Sequence, residues 1–389
     1  MTFSTRKSVF PHKLMSLRGK KKYFVGKKLR NLIEKSGFFI NEDKTRIQFK
    51  DSRQDVTGLI VNEKPNVKKE YWRTVKSQCH RLFQTAAFIK KTTTGEVKGN
   101  INELEGQLNF IDQVDRFNRA RQKPHLNHIY AFAKYGHKTS PLLSGREKTL
   151  SRFLYYRLFY GNTKPTILCE GKTDNVYLKS AINKLVSSYP ELANEKTKAT
   201  EYNLLIRFVE YSKRTRFLLE LYGGTSYLSF FISKFDKHYK FYKAPKPQFP
   251  VIIILDNDKG FSDKKDKGID TKLKKIDSVT VYPTTLKKDA YREADFIHVM
   301  HNFYIVLTPL DSTGKETAIE NLFDKSTRDI KVAEKTFNPD KEFDHTKEYG
   351  KEVFANKVIK AQKDKINFDG LKPLLDHMVK AINHYDSIK

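Results

Sequence analysis

The sequence predicts an α/β protein whose larger part is a mostly parallel sheet with helices on both faces. Three observations carry that prediction. Residues 251–260 (VIIILDNDKG) run five apolar residues, four of them β-branched, into Asp256, Asn257 and Asp258; a short bounded run of this kind reads as a strand buried on both faces. Residues 165–174 (PTILCEGKTD) repeat the design, a short apolar strand followed by Glu170, Gly171 and Asp174. From Pro165 onward strand-like and helix-like stretches alternate, the pattern of βαβ units.

A chain of 389 residues is long for one core and predicts two or three domains. Its net charge of +29 points to a polyanionic partner. Residues 1–150 hold 32 Lys and Arg against 13 Asp and Glu, and the first thirty residues carry ten basic groups and no acid. Cys79 and Cys169 are too few and too far apart for a disulfide framework or a zinc knuckle. No apolar run approaches the roughly 20 residues of a membrane span, and the basic N-terminus lacks a signal-peptide apolar core. These features predict a reducing, cytoplasmic compartment and no membrane partner.

In chain order, residues 23–35 have the spacing of an amphipathic helix stopped at Ser36-Gly37. Residues 37–49 read as strand, turn and strand, with Lys44 and Arg46 either in a solvent-facing turn or beside a phosphate chain. Residues 53–64 form a strand pair around Gly58. A helix over 68–88 mixes aromatic and basic residues; this fits backbone contact with stacking, and equally a helix with Trp72 and Phe83 turned inward. Residues 122–161 connect to the α/β part through an aromatic helix whose Phe153, Tyr155, Tyr156, Phe159 and Tyr160 are expected to pack between domains.

Beyond it, Thr166–Cys169 is the first strand, 173–188 a helix opened by a Thr cap, 216–221 a second strand closed by Gly223-Gly224, and 225–235 a helix. Val251–Leu255 is the third strand, 302–308 a fourth, and 318–323 begins a helix. The Lys-, Asp- and Gly-rich stretch 259–270 is expected to be an exposed loop. Thr313-Gly314-Lys315 lacks the first glycine of a phosphate-binding loop and is set aside. His80, His125 and His128 have no partners at metal spacing.

These residues carry two resemblances. GFFINEDKTRI (37–47), RQDVTGLIVNEKPNVKKEYWRTVKSQCH (53–80) and LEGQLNFIDQV (104–114) resemble the later palm motifs and thumb of bacterial retron-type reverse transcriptases. Met1-Thr2-Phe3-Ser4 resembles the residues just after that family's catalytic YADD box. The box is absent here, so the resemblance implies RNA-directed DNA polymerase activity only for a longer form. The ordered set E-G-x-x-D (Glu170, Gly171, Asp174), Gly223-Gly224 and D-x-D (Asp256, Asp258) resembles the TOPRIM domain of topoisomerases, bacterial primases and several nucleases. AIENLF (318–323) and YGKEVFA (349–355) are similar to the third acidic motif and the Gly-Lys motif of its nuclease branch, which adds Glu320 and Lys351. Together they imply a palm remnant over 1–67, a helical thumb over 68–140, a connector over 141–164 and a Rossmann-like TOPRIM domain over 165–389.

Glu170, Asp174, Asp256, Asp258 and Glu320 are the expected metal ligands, because carboxylate oxygens suit Mg²⁺ or Mn²⁺. Two such ions flank a scissile phosphate in many nucleases. Glu170 doubles as a general acid or base, and Lys351 would neutralise charge on the phosphate. As a helix charge, Asp174 has an equally ordinary reading. Lys44, Arg46, Arg53, Lys64, Lys68, Lys69 and Arg73 are the expected nucleic-acid contacts. The resemblance further implies the effector nuclease of a retron anti-phage system, held on the retron's non-coding RNA and msDNA; a homo-oligomer stays open. The alternatives are a non-catalytic nucleic-acid-binding fragment and a primase-like activity. A topoisomerase is disfavoured because nothing resembles the domain that supplies its cleaving tyrosine.

Overall fold

The computed structural model describes residues 11, 13–18, 22–42, 45, 48, 52–126, 135–136, 138–198, 201–262, 268–340 and 342–389. Its contacts divide the chain into one unit over residues 1–69 and a second over 70–389.

In the first unit, Met15–Arg18 and Lys22–Val25 pair antiparallel, and the helix Lys27–Lys35 follows. The expected helix over 23–35 therefore begins late: Phe24 and Val25 are strand residues, and Gly26 is the N-terminal cap. Asp55–Val56, Leu59–Ile60 and Asn66–Val67 make a three-stranded antiparallel sheet, with the expected turn at Gly58. Among the described residues of 37–49 there is no strand, and Asp43, Lys44, Arg46, Ile47 and Phe49 lie outside the described residues.

The second unit opens with the helices Lys69–Thr85 and Ile101–Gln122 around the hairpin Ile89–Thr92 and Gly95–Lys98. The helix Gly145–Tyr155 starts at a capping box, with Ser144 and Glu147 exchanging hydrogen bonds, and runs into a π-helical turn, Tyr156–Tyr160. Its five aromatics, expected to pack between domains, are all buried, and they lie within this one unit. An ionic junction ties these helices to the helix Lys213–Leu219: Arg214 pairs with buried Asp112 and with buried Glu147 (3.0 Å), Arg119 also pairs with Glu147, and half-buried Arg146 pairs with Asp115 (2.9 Å).

The sheet has six strands: β1 (Thr166–Cys169), β2 (Arg207–Phe208), β3 (Val251–Leu255), β4 (Thr280–Tyr282), β5 (Phe296–Met300) and β6 (Phe303–Leu307). Their order is β2-β1-β3-β6-β5-β4, with β2, β1, β3 and β6 parallel and β5 antiparallel to both its neighbours. Helices α1 (Lys172–Lys184), α2 (Lys213–Leu219), α3 (Thr225–Tyr239) and α4 (Lys372–Ile388) accompany it. Every residue of β3 is buried, and alternation sends Ile252 and Ile254 into a core with Tyr177, Ala181, Phe354, Leu375 and Met378. On the other face, Phe235 of α3 stacks on Phe303 of β6 at 4.5 Å. Helices on both faces explain why β1 and β3 read as unbroken apolar runs.

The second strand is misplaced by the sequence reading. Residues 216–221 contribute to a helix: Ser212 caps α2, its hydroxyl accepting from Thr215 N, and the apolar run behind that cap coils. The strand on the outer side of β1, away from β3, is the two-residue β2. The Gly223-Gly224 pair thus closes a helix-to-helix loop rather than a strand. The first helix is capped by Gly171 instead of Thr173, and 318–323 forms only a single 3₁₀ turn, Ile319–Leu322. Among the described residues no helix is long and apolar enough to cross a membrane.

Candidate metal and phosphodiester site

From β1 the chain moves to β2 on one side, and from β3 it moves toward β6 on the other. The carboxyl ends of β1 and β3 therefore form a topological switch point, the crevice where open α/β sheets keep their ligands. Register sets what fills it. Cys169 pairs with Ile254, so one further step brings Glu170 abreast of Leu255, with Asp256 next along β3. Adjacent strands lie about 4.8 Å apart, so the two acids start from neighbouring backbone.

Each acid is held by a named partner. Asp256 Oδ1 accepts from Ile319 N at 2.8 Å, which docks the 3₁₀ turn carrying Glu320 onto the end of β3. Glu170 Oε1 accepts from the Thr225 hydroxyl at 2.7 Å, and its main-chain oxygen accepts from Gly224 N at 2.7 Å. Gly223 is needed here, since a Cβ on it would stand 2.6 Å from that same oxygen. Asp174 Oδ2 accepts from Gly171 N at 2.6 Å, so one oxygen does serve the helix start; a Cβ at Gly171 would strike this carboxylate. Lys351 Nζ donates to Glu320 Oε2 at 3.0 Å. Asp258 Oδ1 accepts from Gly260 N at 2.7 Å, and a Cβ on Gly260 would lie 3.3 Å from Thr225 Oγ1, the hydroxyl that holds Glu170.

Asp174, Asp256, Glu320, Glu170 and Lys351 act on one another's charge, whereas Asp258 is held in the 258–260 turn, whose Gly260 stands close to the Thr225 hydroxyl. Glu320 and Asp174 are only 2% and 7% exposed. Burial, then repulsion from Asp174, Glu320 and Glu170, pushes Asp256 up to about 8. Burial also raises Asp174, to about 6, against the hydrogen bond from Gly171 and with Glu320 adding to the rise. Burial alone would lower the Lys351 ammonium, but attraction to Glu320, Asp256 and Asp174 wins and raises it. One lysine among four crowded carboxylates leaves a surplus of negative charge, and an all-oxygen donor set of that kind suits a hard divalent cation. Among the described residues no three His, Cys, Asp or Glu side chains are already arranged to hold an ion. Binding one therefore means turning these carboxylates from their present hydrogen bonds.

Several contributors carried no sequence signal of their own. Asn257, fully buried between the two acids of D-N-D, donates through Nδ2 to Arg292 O at 2.9 Å, and Arg292 Nη2 returns a bond to Asp258 O at 3.0 Å. Thr225 looked like a helix-start residue and nothing more.

The expected nucleic-acid contacts are less gathered. Lys44 and Arg46 lie outside the described residues. Arg53 and Lys68 share the Asp55 carboxylate, at 3.2 and 3.3 Å, while Lys64, Lys69 and Arg73 are exposed. His80 and His125 are exposed; His128 lies outside the described residues. Both cysteines are buried and unbridged. No family model matches the chain, and no solved structure matches it.

Proposed function

We propose that the chain hydrolyses phosphodiester bonds in nucleic acid, using Mg²⁺ or Mn²⁺ held by Glu170, Asp256, Asp258, Glu320 and Asp174. The observation that supports this most is the juxtaposition of Glu170 and Asp256 on adjacent parallel strands at the switch point, with Asp174 and Glu320 buried beside them. A bound divalent ion supplies charge neutralisation and activation of water. The chain's own groups do the rest. Glu170, steadied through Oε1 by Thr225, accepts the proton of the attacking water. The new P–O bond forms as the bond to the leaving sugar oxygen breaks, and that oxygen takes up a proton. Lys351, kept charged by its carboxylate neighbours, offsets the negative charge gathering on the phosphate.

By its resemblance to TOPRIM nucleases behind a retron-type reverse-transcriptase remnant, the chain would serve as the effector of an anti-phage system. The basic N-terminal part would hold the retron's RNA and msDNA. The test incubates purified protein with labelled RNA and DNA, with Mg²⁺, Mn²⁺ or chelator. Cleavage should require the cation and should fall by about a hundredfold or more in Asp256→Ala and Glu170→Ala, with binding retained. Cleavage that persists in chelator, or in Asp256→Ala, would overturn the assignment and favour a binding protein without this centre.

A further inference from the structure

Around Tyr222, in the loop between α2 and α3, gathers a group of side chains that the carboxylate chemistry does not use. Tyr222 and Tyr227, both half-buried, meet edge to face with ring centroids 6.0 Å apart. Buried Tyr211 backs Tyr222 at 6.0 Å, and its hydroxyl donates to Cys169 O at 2.7 Å, fastening the aromatic group to the end of β1. Two cations lie on the rings. Arg216 is 5.1 Å from each centroid, and its Nε donates to the Tyr227 hydroxyl at 2.6 Å. Lys172 Nζ is 5.0 Å from the Tyr222 centroid and donates to its hydroxyl at 3.0 Å.

The position of this group is fixed relative to the acids. Lys172 follows Glu170 by two residues. Gly223 and Gly224, immediately after Tyr222, are the residues that close onto the main-chain oxygen of Glu170. The tyrosines therefore stand one loop step from the carboxylates, on the same edge of the sheet. Aromatic faces flanked by basic groups are how proteins hold single-stranded nucleic acid: a base stacks on the ring while the cations meet the phosphates on either side. A base within a duplex has both faces covered and cannot be received in this way.

We propose that Tyr222, with Tyr227, Lys172 and Arg216, forms a stacking subsite for one unpaired nucleobase beside the carboxylates, so that the substrate is presented as a single strand. This deepens the nuclease reading and rests on it for the role of the acids, but binding at the subsite needs no cleavage. The probe is a single-stranded oligonucleotide carrying 2-aminopurine, as DNA and as RNA, mixed with the full chain in chelator. Stacking should quench the fluorophore, and the matching duplex should not be quenched. Tyr222→Ala should abolish the quench and weaken binding at least about fivefold, while Tyr222→Phe and Tyr222→Trp keep it. Should Tyr222→Ala fail to fold, Lys172→Ala and Arg216→Ala read the same subsite through weaker binding. Quenching and affinity unchanged in Tyr222→Ala, or in both cation variants, would overturn the subsite even if cleavage is normal. A Tyr222-dependent quench in a protein that cleaves nothing would instead keep the subsite and overturn the nuclease.

Discussion

At Asp256 the fold strongly changes the ordinary chemistry of a carboxyl that the site would use. In the unfolded chain its carboxyl titrates near 3.8, whereas burial and the neighbouring Asp174, Glu320 and Glu170 raise it to about 8 in the fold. The protonated form therefore suits the folded state better. The stabilisation it brings is complete below about pH 4 and is lost as pH rises through about 8. Asp174 acts in the same direction over a lower range, up to about 6. In chelator, Asp256→Asn should gain thermal stability over the unsubstituted protein. The gain should be small near about pH 4, widen toward about pH 8 and level off above it. Each tenfold change in proton affinity between folded and unfolded states is worth ~1.4 kcal/mol, so the gap should be readable as several degrees in a melting curve. A difference between the two proteins that does not vary with pH would show that these acids do not crowd one another. The acids themselves were legible because a carboxylate directly after a buried apolar strand has few other reasons to be there. Thr225, Asn257 and Tyr222 were not, since a polar side chain next to a glycine or an acid looks the same in sequence whether it faces solvent or bonds across a closed loop.

Among the elements, α2 is joined to two other helices through one side chain. Arg214 reaches from it to Asp112 on Ile101–Gln122 and to Glu147 on Gly145–Tyr155, and both carboxylates are buried. Burial already raises Asp112, with the Arg214 hydrogen bonds working to hold it down. Arg214→Ala would leave buried Asp112 without its forked partner beside Glu147, which keeps Arg119, and should cost ~3–5 kcal/mol in urea unfolding. Arg214→Lys should recover only part of this, because a single ammonium cannot reproduce the forked contact to Asp112. A loss under about 1 kcal/mol would place the pair among solvent-screened ones. The same element shows where periodicity fails. The run 216–221 is apolar enough for a strand, and only the Ser212 cap marks it as a helix. The genuine strand, β2, has two residues and no pattern to read. β1, β3 and β6 were legible because both of their faces are covered. The antiparallel pair β4 and β5 was missed because β4 has only three residues and opens on polar Thr280, and His298 interrupts the apolar run of β5.

At the scale of the molecule, the net charge of +29 sets how any nucleic acid is held. Binding of a structured RNA should weaken by more than about tenfold between roughly 50 and 200 mM salt, as measured by filter retention. A flat salt profile would mean that the basic groups are spent within the protein, as Arg53 and Lys68 are on Asp55. Parallel pairing carries a further consequence, one of timing. β1 and β3 pair across the intervening helices, and the turn bearing Glu320 and the lysine at 351 come from still further along the chain. Contacts so distant along the chain form late. A chain that stops short of Lys351 therefore lacks the cation that faces Glu320 among the gathered carboxylates.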